Sequence, residues 1–209
     1  MTTTEAQEED LLGLVATPSQ TAGPYLSIGT QWNANGRAVP EGTPGEIRLS
    51  GSVTDGAGVA VTDALLEFWQ AGPDVRFGAG SGPPGRGVQA ARWTGWTAWT
   101  GFTRALTNAD GRYSMWTVKP GATALGDAAV LPEMEAPHIN VSIFARGLLQ
   151  RLVTRIYFGD EAERNAADPV LRGVADANER ARLVATWIDG GYRFDIRLQG
   201  EEETPFFVP

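Results

Sequence analysis

Residues 138–143 read His-Ile-Asn-Val-Ser-Ile, polar and apolar in strict alternation. Only an extended chain puts Ile139, Val141 and Ile143 on one side and His138, Asn140 and Ser142 on the other. The stretch therefore predicts a strand with one face against a core. It holds the single histidine of the sequence. Two polar side chains at i and i+2 on a rigid strand point the same way, a compact means of presenting donors to a metal. Here the second is an amide, a poor ligand for a transition metal. His138 reads either as half of a metal strand or as a hydrogen-bonded histidine on a sheet face.

The rest of the chain repeats the β signal. Residues 46–54 and 104–108 read as strands, as does 112–118 beyond the turn dipeptide Asp110-Gly111, which predicts a hairpin between the last two. The run 64–70 is nearly all apolar around Glu67 and suits a central strand covered on both faces. Strands follow at 152–158 and, alternating cleanly, at 192–198. Asp160 with Glu163 three residues on predicts a capped helix start, and a second helical piece lies near 177–185. Six glycines and three prolines in 72–87 make that segment a loop. Thr17-Pro-Ser-Gln-Thr-Ala-Gly-Pro-Tyr25 can enter neither a helix interior nor a ladder, so it reads as an extended arm, free or closing over a neighbouring site. About seven strands and two short helices predict an all-β, single-domain β-sandwich. Residues 1–45 form an arm and loop, and 46–209 the sandwich domain.

Composition excludes several functions. A net charge of -8 argues against a nucleic-acid partner. Without cysteine there is no disulfide, thiolate metal site or thiol nucleophile. No segment approaches the ~20 apolar residues of a membrane span, and the acidic start does not read as a signal peptide, so a cytoplasmic location is expected. All but one of the 17 basic residues are arginine, which suits fixed, forked ion pairs. A Ser-His-Asp hydrolase built on His138 lacks a Gly-x-Ser-x-Gly elbow. Trp93, Trp96, Trp99 and Phe102 recur every third residue. Such a row suits an interface or core, or alternatively the stacking platform of a stand-alone β-sandwich ligand-binding module.

The order of motifs is more specific. Leu49-Ser-Gly-Ser-Val53, Leu66-Glu-Phe-Trp-Gln70, Asp110-Gly-Arg-Tyr113, Thr117-Val-Lys-Pro-Gly121, Pro137-His-Ile-Asn140, Arg155-Ile-Tyr-Phe158 and Tyr192-Arg-Phe-Asp-Ile196 together resemble the intradiol ring-cleaving dioxygenases, over about residues 14–207. The resemblance implies non-haem Fe(III) held by two tyrosines and two histidines. Here His138 matches the first histidine, but Asn140 stands at the second and Thr123 at the tyrosine after Lys-Pro-Gly. Residues 71–112 contain no tyrosine for the remaining ligand, and Glu135 replaces an expected arginine. The expectation is a chain that binds no metal itself and carries no catalytic residue alone. An obligate, homologous partner chain would hold the Fe(III) in a hetero-oligomer that opens a catechol acid with O2. By motif match, Thr21, Gly23, Pro24, Tyr25 and Arg146 would contribute to the partner's substrate pocket. For Arg146 an ordinary interface salt bridge is an equally good reading.

Overall fold

The computed structural model describes residues 18–23, 25–31, 36–73, 101–125 and 133–208. Strands dominate them, and the all-β expectation holds. Eleven strands are described: β1 (Glu46–Thr54), β2 (Leu65–Gln70), β3 (Phe102–Leu106), β4 (Arg112–Val118), β5 (Thr123–Leu125), β6 (Glu133–Glu135), β7 (His138–Phe144), β8 (Leu152–Phe158), β9 (Val184–Ile188), β10 (Gly191–Arg193) and β11 (Ile196–Arg197). Short helices occupy Tyr25–Gly29 (α1), Ala162–Ala167 (α2), Pro169–Gly173 (α3) and Ala177–Arg182 (α4). None is long and apolar enough to cross a membrane.

Nine strands form one sheet that folds over on itself. One half runs β3-β2-β7-β8, and β9 links it to the other half, in which β1 lies between β4 and the β10 and β11 pair. The halves pack face to face around Leu49, Val53, Met115, Leu66, Phe68, Ile139, Val141, Ile143, Ile156 and Phe158, all buried. The alternation in β7 is what places three of these. The opposite face of β7 is better covered than its pattern foretold: His138 and Ser142 are buried as well, and Asn140 and Phe144 are partly open.

Three local expectations fail, each for a tertiary reason. The Asp110-Gly111 turn forms, with the Asn108 side chain accepting from the Asp110 and Arg112 N–H groups. Yet β3 and β4 do not pair with each other; β3 pairs with β2 and β4 with β1. Residues 36–38 lie between them, since Gly36 donates to the Arg104 carbonyl and both Trp116 and Ala38 bond across to β4 and this segment. Residues 192–198 are not one strand. The chain leaves the ladder at Phe194, and the Asp195 carboxylate accepts from the Ser52 N–H and hydroxyl where a backbone carbonyl would have stood. Asp160 does not cap α2: the cap position is Glu161, without a side-chain bond, while Asp160 meets the Tyr192 hydroxyl and the Lys119 ammonium. The helix near 177–185 ends at Arg182, and Val184 and Ala185 enter β9 parallel to β8.

Candidate functional site

Asp168 is the most completely enclosed acid in the described chain. It caps α3, with Oδ1 accepting from the N–H groups of Val170 and Leu171 at 2.9 and 2.8 Å. Oδ2 accepts from the Ala136 N–H at 2.7 Å, and the Tyr157 hydroxyl donates to Oδ1 at 3.2 Å. One carboxylate thus fixes the segment entering β7 against a helix and against β8.

That anchor sets the position of His138. Its Nδ1 donates to the Ala136 carbonyl at 2.8 Å, which leaves the Nε2 lone pair 3.9 Å from Glu135 Oε2. Burial, and then the neighbouring Arg155 guanidinium, hold the imidazole below the usual histidine range, so it is neutral. Glu135 is buried at the end of β6. Its Oε1 receives Arg155 Nη1 at 2.6 Å, and its Oε2 receives the hydroxyl of Thr123, its cross-strand partner, at 3.2 Å. Arg155 lies opposite Asn140 in the β7–β8 register. Burial pushes the Tyr157 phenol well above the tyrosine range.

The structure places Thr123 and His138 beside Glu135, and Asn140 opposite Arg155 in the β7–β8 register. Their surroundings do not suit iron. One imidazole nitrogen faces a carboxylate already engaged by a guanidinium, the neighbouring phenol is held protonated as a donor, and hydroxyl and amide complete the set. An Fe(III) centre needs anionic and imidazole donors converging on one point. Among the described residues no three acidic, histidine or cysteine side chains are placed so that they could hold a metal ion. Arg155 and Asp168 complete the cluster and were not singled out in the sequence. The charge inside the strand motif Arg155-Ile-Tyr-Phe158 was the available signal for the first; Asp168 directly before Pro169, an N-cap followed by proline, was the signal for the second.

The residues expected to reach a partner's pocket lie elsewhere. Thr21 Oγ1 accepts from the Gly147 N–H at 2.8 Å, which brings the arm beside Arg146. Arg146 is 67% exposed and pairs with Asp63. Gly23 precedes α1, where its carbonyl accepts from Leu26, and Tyr25 on α1 is 81% exposed. Pro24 lies outside the described residues, as does the tryptophan row except for Phe102, which packs on Trp69.

Comparison with known proteins gives the family. The family model described as "Dioxygenase" matches residues 21–200. The chain is 42% identical over 210 residues to the protocatechuate 3,4-dioxygenase alpha chain of Pseudomonas putida, covering 93% of this chain and 96% of that one. It is 36% identical over 183 residues to the protocatechuate 3,4-dioxygenase beta chain of Burkholderia cepacia, covering 80% and 71%. The crystal structure of 3-chlorocatechol 1,2-dioxygenase from Rhodococcus opacus 1CP shares the fold, with a TM-score of 0.52 at 18% identity over 92% of this chain and 76% of that one. The motif order, the doubled-over sheet and these matches agree: the chain belongs to the intradiol ring-cleavage dioxygenase family.

Proposed function

We propose that this chain is the alpha subunit of a protocatechuate 3,4-dioxygenase. It pairs with a homologous beta chain that holds the Fe(III), and the assembly converts protocatechuate and O2 to 3-carboxy-cis,cis-muconate. The observation that carries this reading is the cluster around Glu135 and Arg155. A chain that keeps the family's fold in its described residues, yet meets the buried donors of this cluster internally, needs a partner for the chemistry. Similarity to an alpha chain along nearly the whole length, and weaker similarity to a beta chain, favours a subunit over a free-standing ligand-binding module.

In this reading the chain supplies one wall of the partner's pocket. Thr21, Gly23, Pro24, Tyr25 and Arg146 form that wall. The Thr21–Gly147 bond supports it by holding the arm against the loop that carries Arg146. A forked guanidinium and the N–H groups of a Gly/Pro segment suit the carboxylate of the substrate. The Asp63 pair is solvent-exposed and therefore weak, so Arg146 can exchange Asp63 for a substrate carboxylate.

Co-expression with the cognate beta chain tests the reading. The two should co-purify with iron in proportion to the beta chain and consume protocatechuate with O2, whereas the alpha chain alone should purify without stoichiometric iron. Iron and turnover in the isolated chain would overturn it.

A further inference from the structure

Beside α4 and the β9–β11 edge lies a cavity of about 740 Å³ that the proposed reaction does not use. Three arginines line it, and each is fixed through one nitrogen. Arg182 Nε donates to the Glu203 carbonyl at 2.9 Å, Arg193 Nε to Asp195 Oδ2 at 2.8 Å, and Arg197 Nη2 to the Gly56 carbonyl at 2.6 Å. These anchors leave the terminal nitrogen pairs of Arg182 and Arg193 without an acceptor among the described residues. Arg197 Nη1 reaches only Glu202, at 3.4 Å, and Glu202 is 77% exposed. Such a pair is weak. Arg197 Nε is buried with no acceptor among the described residues.

The charges do not cancel. Against three guanidinium groups the lining offers only Asp195 and Glu202, and Asp195 already holds Ser52 and Arg193. A cationic excess lined up in one concavity is unusual in a chain of net charge -8. Thr204 Oγ1 accepts from the Arg197 N–H, which leaves its O–H to donate. Ala181 and Val184 give the cavity an apolar wall. Guanidinium forks match carboxylates in bidentate fashion; a backbone carbonyl orients the Arg182 fork, and the exposed Asp195 pair holds the Arg193 fork more loosely.

We propose that this cavity binds a small organic polycarboxylate, one carboxylate on the Arg182 fork and another on the Arg193 fork. The two forks sit on different elements, α4 and β10, and line one cavity, an arrangement that suits one anion with two separated carboxylates. The volume and the apolar wall suit a carbon skeleton better than a lone inorganic anion.

Calorimetric titration of the purified full-length chain, in whatever complex it forms, decides this. Citrate is the probe and inorganic phosphate the control, at matched ionic strength. Citrate should bind saturably. Arg182→Ala and Arg193→Ala should each weaken it about tenfold or more, the loss expected for a charge-assisted contact. Thr186→Glu, at the exposed rim of the same cavity, adds negative charge without removing an arginine and should weaken citrate similarly. Thermal melting of each variant separates this from unfolding, and if an arginine variant fails to fold, Thr186→Glu decides. No saturable citrate binding, unchanged affinity in the folded variants, or phosphate binding as tightly as citrate would overturn the proposal.

Discussion

Arg146 is held by one partly buried acid, and under the proposed function a substrate carboxylate competes with that acid on equal chemical terms. A charge-assisted contact is worth about 1.5–3 kcal/mol, or roughly ten- to a hundredfold in affinity. Arg146→Ala in the assembled enzyme should therefore raise KM for protocatechuate by that factor and change catechol, which has no carboxylate, much less. Steady-state kinetics on both substrates check this, and an equal loss on the two would assign Arg146 to the interface. Asp168 makes the opposite case, because its partners are all internal. Asp168→Ala leaves two helix N–H groups, the Ala136 N–H and the Tyr157 hydroxyl without their acceptor. Unfolding in urea should show a loss of at least about 3 kcal/mol. His138 gives a pH signature. Its folded pKa is lowered, so the unfolded chain takes up a proton that the folded chain refuses. Its contribution to stability is full above about pH 6.5 and declines as pH falls from there toward the lowered folded value. His138→Gln should flatten that part of the stability curve. His138, Asn140 and Thr123 were legible as departures from a motif. Arg155 and Asp168 were not, because their significance lies in partners 20 and 32 residues away in the chain, at Glu135 and Ala136.

At the level of elements, β1 shows what period-two patterning can and cannot give. Its bounds follow from the alternation of Leu49, Gly51 and Val53. The need for glycine at the middle position comes from elsewhere, since a Cβ there would lie 1.7 Å from the Phe194 carbonyl oxygen. The Tyr113 hydroxyl also donates to that oxygen, at 2.6 Å. Gly51→Ala must push apart two strands at the centre of the sheet and should cost more than about 3 kcal/mol. Asp195→Ala removes a side-chain stand-in for a ladder carbonyl at an exposed place and should cost no more than about 1 kcal/mol. Denaturant midpoints of the two variants check the contrast. The same register explains the misread strand at 192–198. Tyr192, Phe194 and Ile196 all face the core, which fits one continuous strand equally well, and only the closeness of Phe194 to Gly51 reveals the break. The hairpin at 108–112 was misjudged likewise: turn chemistry fixes the turn, not which neighbours the emerging strands take.

Across the whole molecule, closure depends on a short segment outside the β run. Residues 36–38 bridge β3 and β4, and Ala38 and Val39 bury against Val118. Removing residues 1–45 opens two strand edges and should give an aggregating chain of lower melting temperature, in place of one that stays dispersed with melting unchanged. Size-exclusion chromatography and thermal melts distinguish these outcomes. The Glu135–Arg155 pair also acts on this scale. A guanidinium on a side chain is made in one-to-one ratio with the chain that needs it and cannot dissociate. No term in free metal concentration then enters the folding equilibrium, unlike that of a protein whose native state binds a soluble ion. In the two-chain enzyme proposed above this divides the dependence on nutrition unequally: scarcity of iron bears on the folding of the partner, not through this cluster on the folding of this chain.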